Sequence, residues 1–149
     1  MNPDDIYSPL YADLDYYIDH LDEQDAMYEK INALPQKIQD VIYGGSDTIQ
    51  KMKNVCNQFS LTQTQVKILS ILTRKILIAE VFIGNLIPEL QKQLDLPESK
   101  ARGLADALTS ELFAPAITEL KELHAKTFGN QQSKPTSNVV NLRTSKSTN

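Results

Sequence analysis

Ile68 to Leu94 reads ILSILTRKILIAEVFIGNLIPELQKQL. It is the most apolar part of the chain, and the way it divides decides the fold. Ile68 to Pro88 alone covers 21 residues, close to the ~20 a helix needs to cross a bilayer. Arg74, Lys75 and Glu80 fall inside it. Each charge near the centre of a membrane helix costs roughly 2.5 to 3.5 kcal/mol, against gains of about 0.3 to 0.6 kcal/mol for each Ile or Leu. The stretch is therefore buried core: two helices meeting at a corner near Ala79 to Ile83, the floor of a small all-helical domain.

The first of these helices opens at Thr62-Gln-Thr-Gln65, which has the form of a capping box. Val66, Leu69, Leu72 or Thr73, and Ile76 form its stripe, and Arg74 and Lys75 are expected to snorkel at its edge. The helical period slips after Leu77, which places a turn around Ala79–Val81. Phe82, Ile83, Leu86, Ile87, Leu90 and Leu94 form the second stripe. Pro88 lies inside it, so this helix starts late or is kinked.

Toward the C-terminus, Asp95-Leu-Pro97 is a turn. Ala101, Leu104, Ala105, Leu108 and Leu112 form the buried side of the next helix, whose small residues, Gly103 among them, suit close packing. Ala114-Pro115 interrupts the pattern. A last helix carries Ala116, Ile117, Leu120 and Leu123 and stops at Gly129. Truncating Leu90 or Leu104 to Ala is expected to cost about 2 to 5 kcal/mol.

Toward the N-terminus, Ser46 is the expected cap of a helix with Ile49, Met52, Cys56 and Phe59 inside. Gln36–Tyr43 is a helix started at Pro35 and stopped at Gly44-Gly45. Ala26–Ala33 resumes helix after a turn at Asp22–Asp25. Leu10, Leu14, Tyr17, Ile18 and Leu21 stand at helical spacing, behind Ser8 as cap and Pro9 in the first turn. Residues 1–9 lack periodicity and read as an extended arm.

Charge divides the 149 residues into three segments. Residues 1–30 hold nine acids and one base, residues 31–128 eleven bases and ten acids, and residues 129–149 Lys134, Arg143 and Lys146 with no acid. The organisation expected is an acidic, Tyr-rich N-terminal arm and helix (1–30), a helical domain (31–128) and a disordered, polar, basic tail (129–149). The fold class is all-α, a compact bundle of about five to seven short helices. Asp4 and Asp5 stand where the basic region of a signal peptide would be, so a cytoplasmic location is expected.

Residues from about Ile31 to Leu123 resemble a small helical domain of unknown function that recurs in proteins of candidate phyla radiation bacteria. LPQKIQDVI, LIAEVFIGNLIPELQKQLDL and ESKARGLADALTSELFAPAITELKEL carry the likeness. Leu90, Leu94 and Leu96 occupy its first apolar segment. Ala101, Leu104, Ala105 and Leu108 occupy the second, and Leu112, Phe113, Pro115 and Ala116 the third. Ala79 and Asp95 stand where that family often carries glycine. The resemblance implies a fold and brings no catalytic residue.

Chemistry-bearing motifs are lacking. There is no GxGxxG, Walker loop, HExxH or GxSxG. DLDYYID from Asp13 to Asp19 departs from a calcium loop at Tyr17, Ile18 and Gln24. His20 and His124 each lack a second histidine at ligand spacing. Cys56 sits on an apolar stripe with nothing electropositive around it, which suits a core residue. No enzyme activity, cofactor or metal is expected.

The functional expectation is a non-enzymatic helical module for protein–protein interaction or scaffolding. Tyr11 and Tyr16 of the head, and Val139, Val140 and Leu142 of the tail, are its candidate partner contacts. For the head helix itself, folding back on its own body is the favoured reading. The alternative is a nucleic-acid-associated regulator, with Ser99, Lys100 and Arg102 facing a groove and the acidic head competing with phosphate. A body of net charge +1 argues against it.

Overall fold

The corner inside Ile68–Leu94 is built by a left-handed residue. In the computed structural model, which describes residues 3–129, helix α5 (Gln63–Leu77) ends with Ala79 at φ +61°. The Glu80 amide reaches back to the Lys75 carbonyl and the Ala79 amide to that of Ile76, which is the Schellman arrangement for closing a helix. A 3-10 turn (Ile83–Asn85) follows, and then α6 (Leu86–Leu94). Pro88 is the third residue of α6, within the first turn, where its missing N–H costs nothing. No helix among the described residues is long and apolar enough to cross a membrane.

A left-handed conformation disfavours any residue with a Cβ by roughly 1 to 2 kcal/mol. Against this, glycine gives up about 0.5 to 1 kcal/mol of backbone entropy. Ala79→Gly is therefore expected to raise stability by about 0.5 to 1 kcal/mol. A rise in the urea midpoint with an unchanged slope would bear this out; a fall would mean that Ala79 is not left-handed in solution. Ser60 and Asp95, at φ +54° and +55°, close α4 and α6 in the same way.

The remaining α-helices are α1 (Leu14–Tyr17), α2 (Leu21–Asn32), α3 (Gln36–Ile42), α4 (Gly45–Gln58), α7 (Glu98–Leu108) and α8 (Ile117–Phe128). The described residues contain no strand. The protein is an all-α bundle, and α1 is a single turn. The capping box is formed in full, with the Thr62 hydroxyl accepting from the Gln65 amide and the Gln65 side chain accepting from the Thr62 amide. The α3–α4 break is made by Gly44 and by left-handed Gly45 at φ +58°, and Ser46, the cap expected from the sequence, lies inside α4 and makes no capping bond. A Cβ on Gly44 would clash with the Thr48 hydroxyl, which donates to the Val41 carbonyl.

One apolar cluster runs through all of this, from Leu10 and Met27 through Met52, Leu72 and Leu90 to Leu120. Leu90 and Leu104 are fully buried, so the truncation cost expected above applies; a loss below about 0.5 kcal/mol would place them at the surface. Gly103 lets α7 meet the end of α4, since a Cβ there would stand 3.1 Å from the Phe59 ring.

The N-terminal segment departs from its sequence reading. Residues 3–7 are a 3-10 helix packed on α4 and α5, not an extended arm. The stripe from Leu10 to Leu21 is not one helix. Ser8 accepts from the Leu10 and Tyr11 amides, capping a turn that leads to α1. The chain then breaks at Ile18–His20, and Asp22–Asp25 lies within α2. Electrostatics accounts for the break. A continuous helix would stack Asp15, Asp19 and Glu23 at i, i+4 spacing, where like charges repel. Restarting at Leu21 puts Asp22 and Glu23 in a first turn, where the helix dipole favours them.

Candidate functional site

The head is held on α5 by a polar seam set into an otherwise apolar helix. Lys67, Ser70 and Arg74 follow each other at i, i+3 and i+7, and each bonds the head. Lys67 pairs with Asp15 at 3.3 Å, and this pairing holds the Asp15 carboxyl below its usual range. The Ser70 hydroxyl donates to the Ile6 carbonyl at 2.6 Å. Arg74 donates from both terminal nitrogens to the two Asp13 oxygens at 2.7 and 2.9 Å, and again to the Pro9 carbonyl at 3.2 Å. Its guanidinium also lies 5.8 Å from the Tyr17 ring centre. Burial draws the Arg74 pKa down, and the Asp13 bond and charge outweigh it, so the net movement is upward.

Arg74 therefore does not snorkel at the helix edge. Its side chain is 5% exposed, and that of Asp13 is 14%. The planar fork of arginine matches a carboxylate in a way that lysine cannot. A signal for this was present in the sequence: three polar residues on one face of an apolar helix, facing a head with nine acids. Lys53, on α4, adds an outer tie, 3.3 Å from Asp4 and 5.7 Å from the Tyr7 ring.

Beyond this anchor the head projects. Large exposed hydrophobic side chains concentrate here: Tyr11 at 40%, Tyr16 at 46%, Ile18 at 67% and Leu21 at 61%. Tyr16 stacks on His20 with ring centres 3.9 Å apart, and its hydroxyl donates to Glu23 at 3.0 Å. That bond to Glu23 raises the Tyr16 pKa. The Ile18–His20 break is thus locked into a knuckle, with Ile18 and Leu21 on the outside. Of the five residues expected to contact a partner, the structure places Tyr11 and Tyr16 at this surface. Val139, Val140 and Leu142 lie outside the described residues. Ile18 and Leu21 were missed because helical spacing assigned them to a buried stripe.

Other positions have structural roles. Cys56 is buried, and burial pushes its thiol up to about 12. His124, on α8, is buried against the corner. The Ile83 amide can only donate, so Nδ1 accepts from it at 3.1 Å, and Nε2 carries the proton donated to the Ile76 carbonyl at 2.7 Å. The ring therefore caps the end of α5 in its neutral form, and burial holds its pKa below the usual value. The unfolded chain takes up a second ring proton near pH 6.5 and the folded chain only lower. Stability is therefore expected to be full above about pH 6.5 and to fall as the pH drops below it. Urea unfolding at a series of pH values should show this slope, reduced in His124→Gln. An equal slope in the variant would remove His124 as its source.

A cleft of about 350 Å³ lies between α3, α4 and the Leu112–Pro115 segment. Lys37, Lys51, Asp40 and Asp47 line its rim and balance in charge. Asp47 is paired with Lys51, and Asp40 accepts from Gln36. No group of three or more metal-ligating side chains gathers among the described residues. On α7, Arg102 donates to Glu98 at 2.6 Å, and Glu98 and Asp106 flank it.

The chain matches no family model, no curated protein and no solved structure.

Proposed function

We propose that this chain is a non-enzymatic helical interaction module of the cytoplasm, which presents its acidic head to a protein partner. One observation carries the reading. Four of the five large hydrophobic side chains exposed on the described residues, Tyr11, Tyr16, Ile18 and Leu21, stand within eleven residues of one another, and the fifth is Tyr43. Clustered apolar exposure is what a contact surface requires, whereas scattered exposure requires no explanation. The acids around the cluster suit a partner with positive charge. The polar seam of α5 holds the surface in one shape, which lowers the ordering cost of binding. The nucleic-acid alternative has less support, because Arg102 is neutralised by Glu98 on its own helix.

The test compares the full chain with an Ile18→Ser/Leu21→Ser double variant of matched unfolding midpoint. Each is used as bait for proteins from its own host lysate. The expected result is at least one protein recovered several-fold less with the variant, and equally less with Tyr11→Ser/Tyr16→Ser. Identical recovery from all three would overturn the reading.

A further inference from the structure

We infer that the chain's own C-terminal segment docks on the head knuckle, with Val139, Val140 and Leu142 against Ile18 and Leu21. The receiving surface is an open recess of about 410 Å³ lined by Ile18, Asp19, His20, Leu21, Asp22 and Glu23. Its two apolar residues are the most exposed large hydrophobics among the described residues. Asp13 and Asp15 are taken by Arg74 and Lys67, and Glu23 by the Tyr16 hydroxyl. Asp19 and Asp22 have no ion-pair partner among the described residues. The recess therefore offers two apolar contacts and two uncompensated negative charges.

The sequence of the tail is the complement of this. Between Asn130 and Asn149 it holds Lys134, Arg143 and Lys146, no acid, and one apolar group, Val139-Val140-Asn141-Leu142, directly before Arg143. Opposite charges beside matched apolar residues set both attraction and register.

The geometry allows the contact. The chain leaves the described structure at Gly129, which caps α8. The same helix is tied to the end of α5 by the His124 bond to Ile76. The head is clamped to that end of α5 as well, by Arg74 and by the Lys30–Glu80 pair at 3.2 Å. Exit point and recess thus flank one end of one helix. The ten residues from Gly129 to Val139 reach up to about 33 Å, more than the ~22 Å length of the fifteen-residue α5. A short tether holds its end at an effective concentration of about 1 mM, so a contact of millimolar affinity is half occupied.

The contact covers part of the surface assigned above to a partner and makes the tail its internal competitor. It does not need that partner to exist, and its test contains none. The full chain carries a nitroxide on Asn141→Cys, where buried Cys56 does not compete for the label, and amide signals are followed by NMR. The expected result is broadening centred on Ile18–Glu23 at low salt, falling off with distance from the recess. It should be lost near 1 M salt, where the screening length is ~3 Å. Ile18→Ser/Leu21→Ser leaves the Arg74–Asp13 anchor untouched and should abolish the broadening. Three results overturn the inference: no localised broadening, broadening unchanged in that variant, or broadening seen only between a spin-labelled copy and a separate isotope-labelled copy.

Discussion

Asp13→Ala is expected to destabilise the protein by about 3 kcal/mol and to free the head from α5. Breaking a buried ion pair from one side costs about 3 to 5 kcal/mol, because the remaining charge keeps its desolvation penalty and loses its compensation. Arg74 would be left almost fully buried with only the Pro9 carbonyl to accept from it. The lower end of the range applies, since Asp13 retains some contact with water and since the head can lift to let Arg74 hydrate. Removing both charges with groups of similar shape, as in Asp13→Leu/Arg74→Met, is expected to recover much of the loss. Urea unfolding measures the total. Amide exchange measures the local part, and residues 3–17 should lose protection before α7. A loss below about 0.5 kcal/mol would mean that the pair is open to solvent and that the seam does not hold the head.

Which features could be read in advance follows from the range of the forces that make them. The capping box at Thr62, the end of α5 near Leu77, the turn before Phe82 and the helix start at Pro35 depend on residues within one or two helical turns, and local pattern carries them. The buried side of α7 was legible for the same reason. The head was not. Its spacing from Leu10 to Leu21 is helical, but a run of acids on the opposite face makes the continuous helix unfavourable, and the break moves Ile18 and Leu21 outward. Periodicity alone could not place Arg74, whose partner lies 61 residues away; the one signal was the polar face it shares with Lys67 and Ser70, which does not say what pairs there. His124 shows the same limit: its two bonds join backbone groups across 41 and 48 residues. Of the candidate surface, the two tyrosines were visible as residue types suited to contact, whereas the apolar pair became visible only with the break in place.

Phe113→Ala is the second large effect, expected at about 3 to 5 kcal/mol, the usual cost of emptying a buried aromatic site. Phe113 is fully buried and heads the large side chains in the core. Periodicity alone gave Leu112 as the inward residue of this stretch. The chain instead widens into a π-helical turn over Thr109–Phe113, followed by a 3-10 turn over Ala114–Ala116. A π turn takes one residue more per hydrogen bond than an α turn, so two consecutive side chains, Leu112 and Phe113, both turn inward. Pro115 enforces the change, because it cannot supply the amide that a continuing α-helix would need. The segment packs against α4 and α8, so a void at Phe113 is felt by helices from both halves of the chain and cannot close by the shift of one element. Phe113→Leu keeps most of the volume and should cost about 1.5 kcal/mol or less. Equilibrium urea unfolding of the two variants separates the outcomes. A gap of about 2 kcal/mol or more between them places the aromatic ring at the junction of the bundle, while equal and small losses would mean that the π turn is free to slide and that the core does not depend on it.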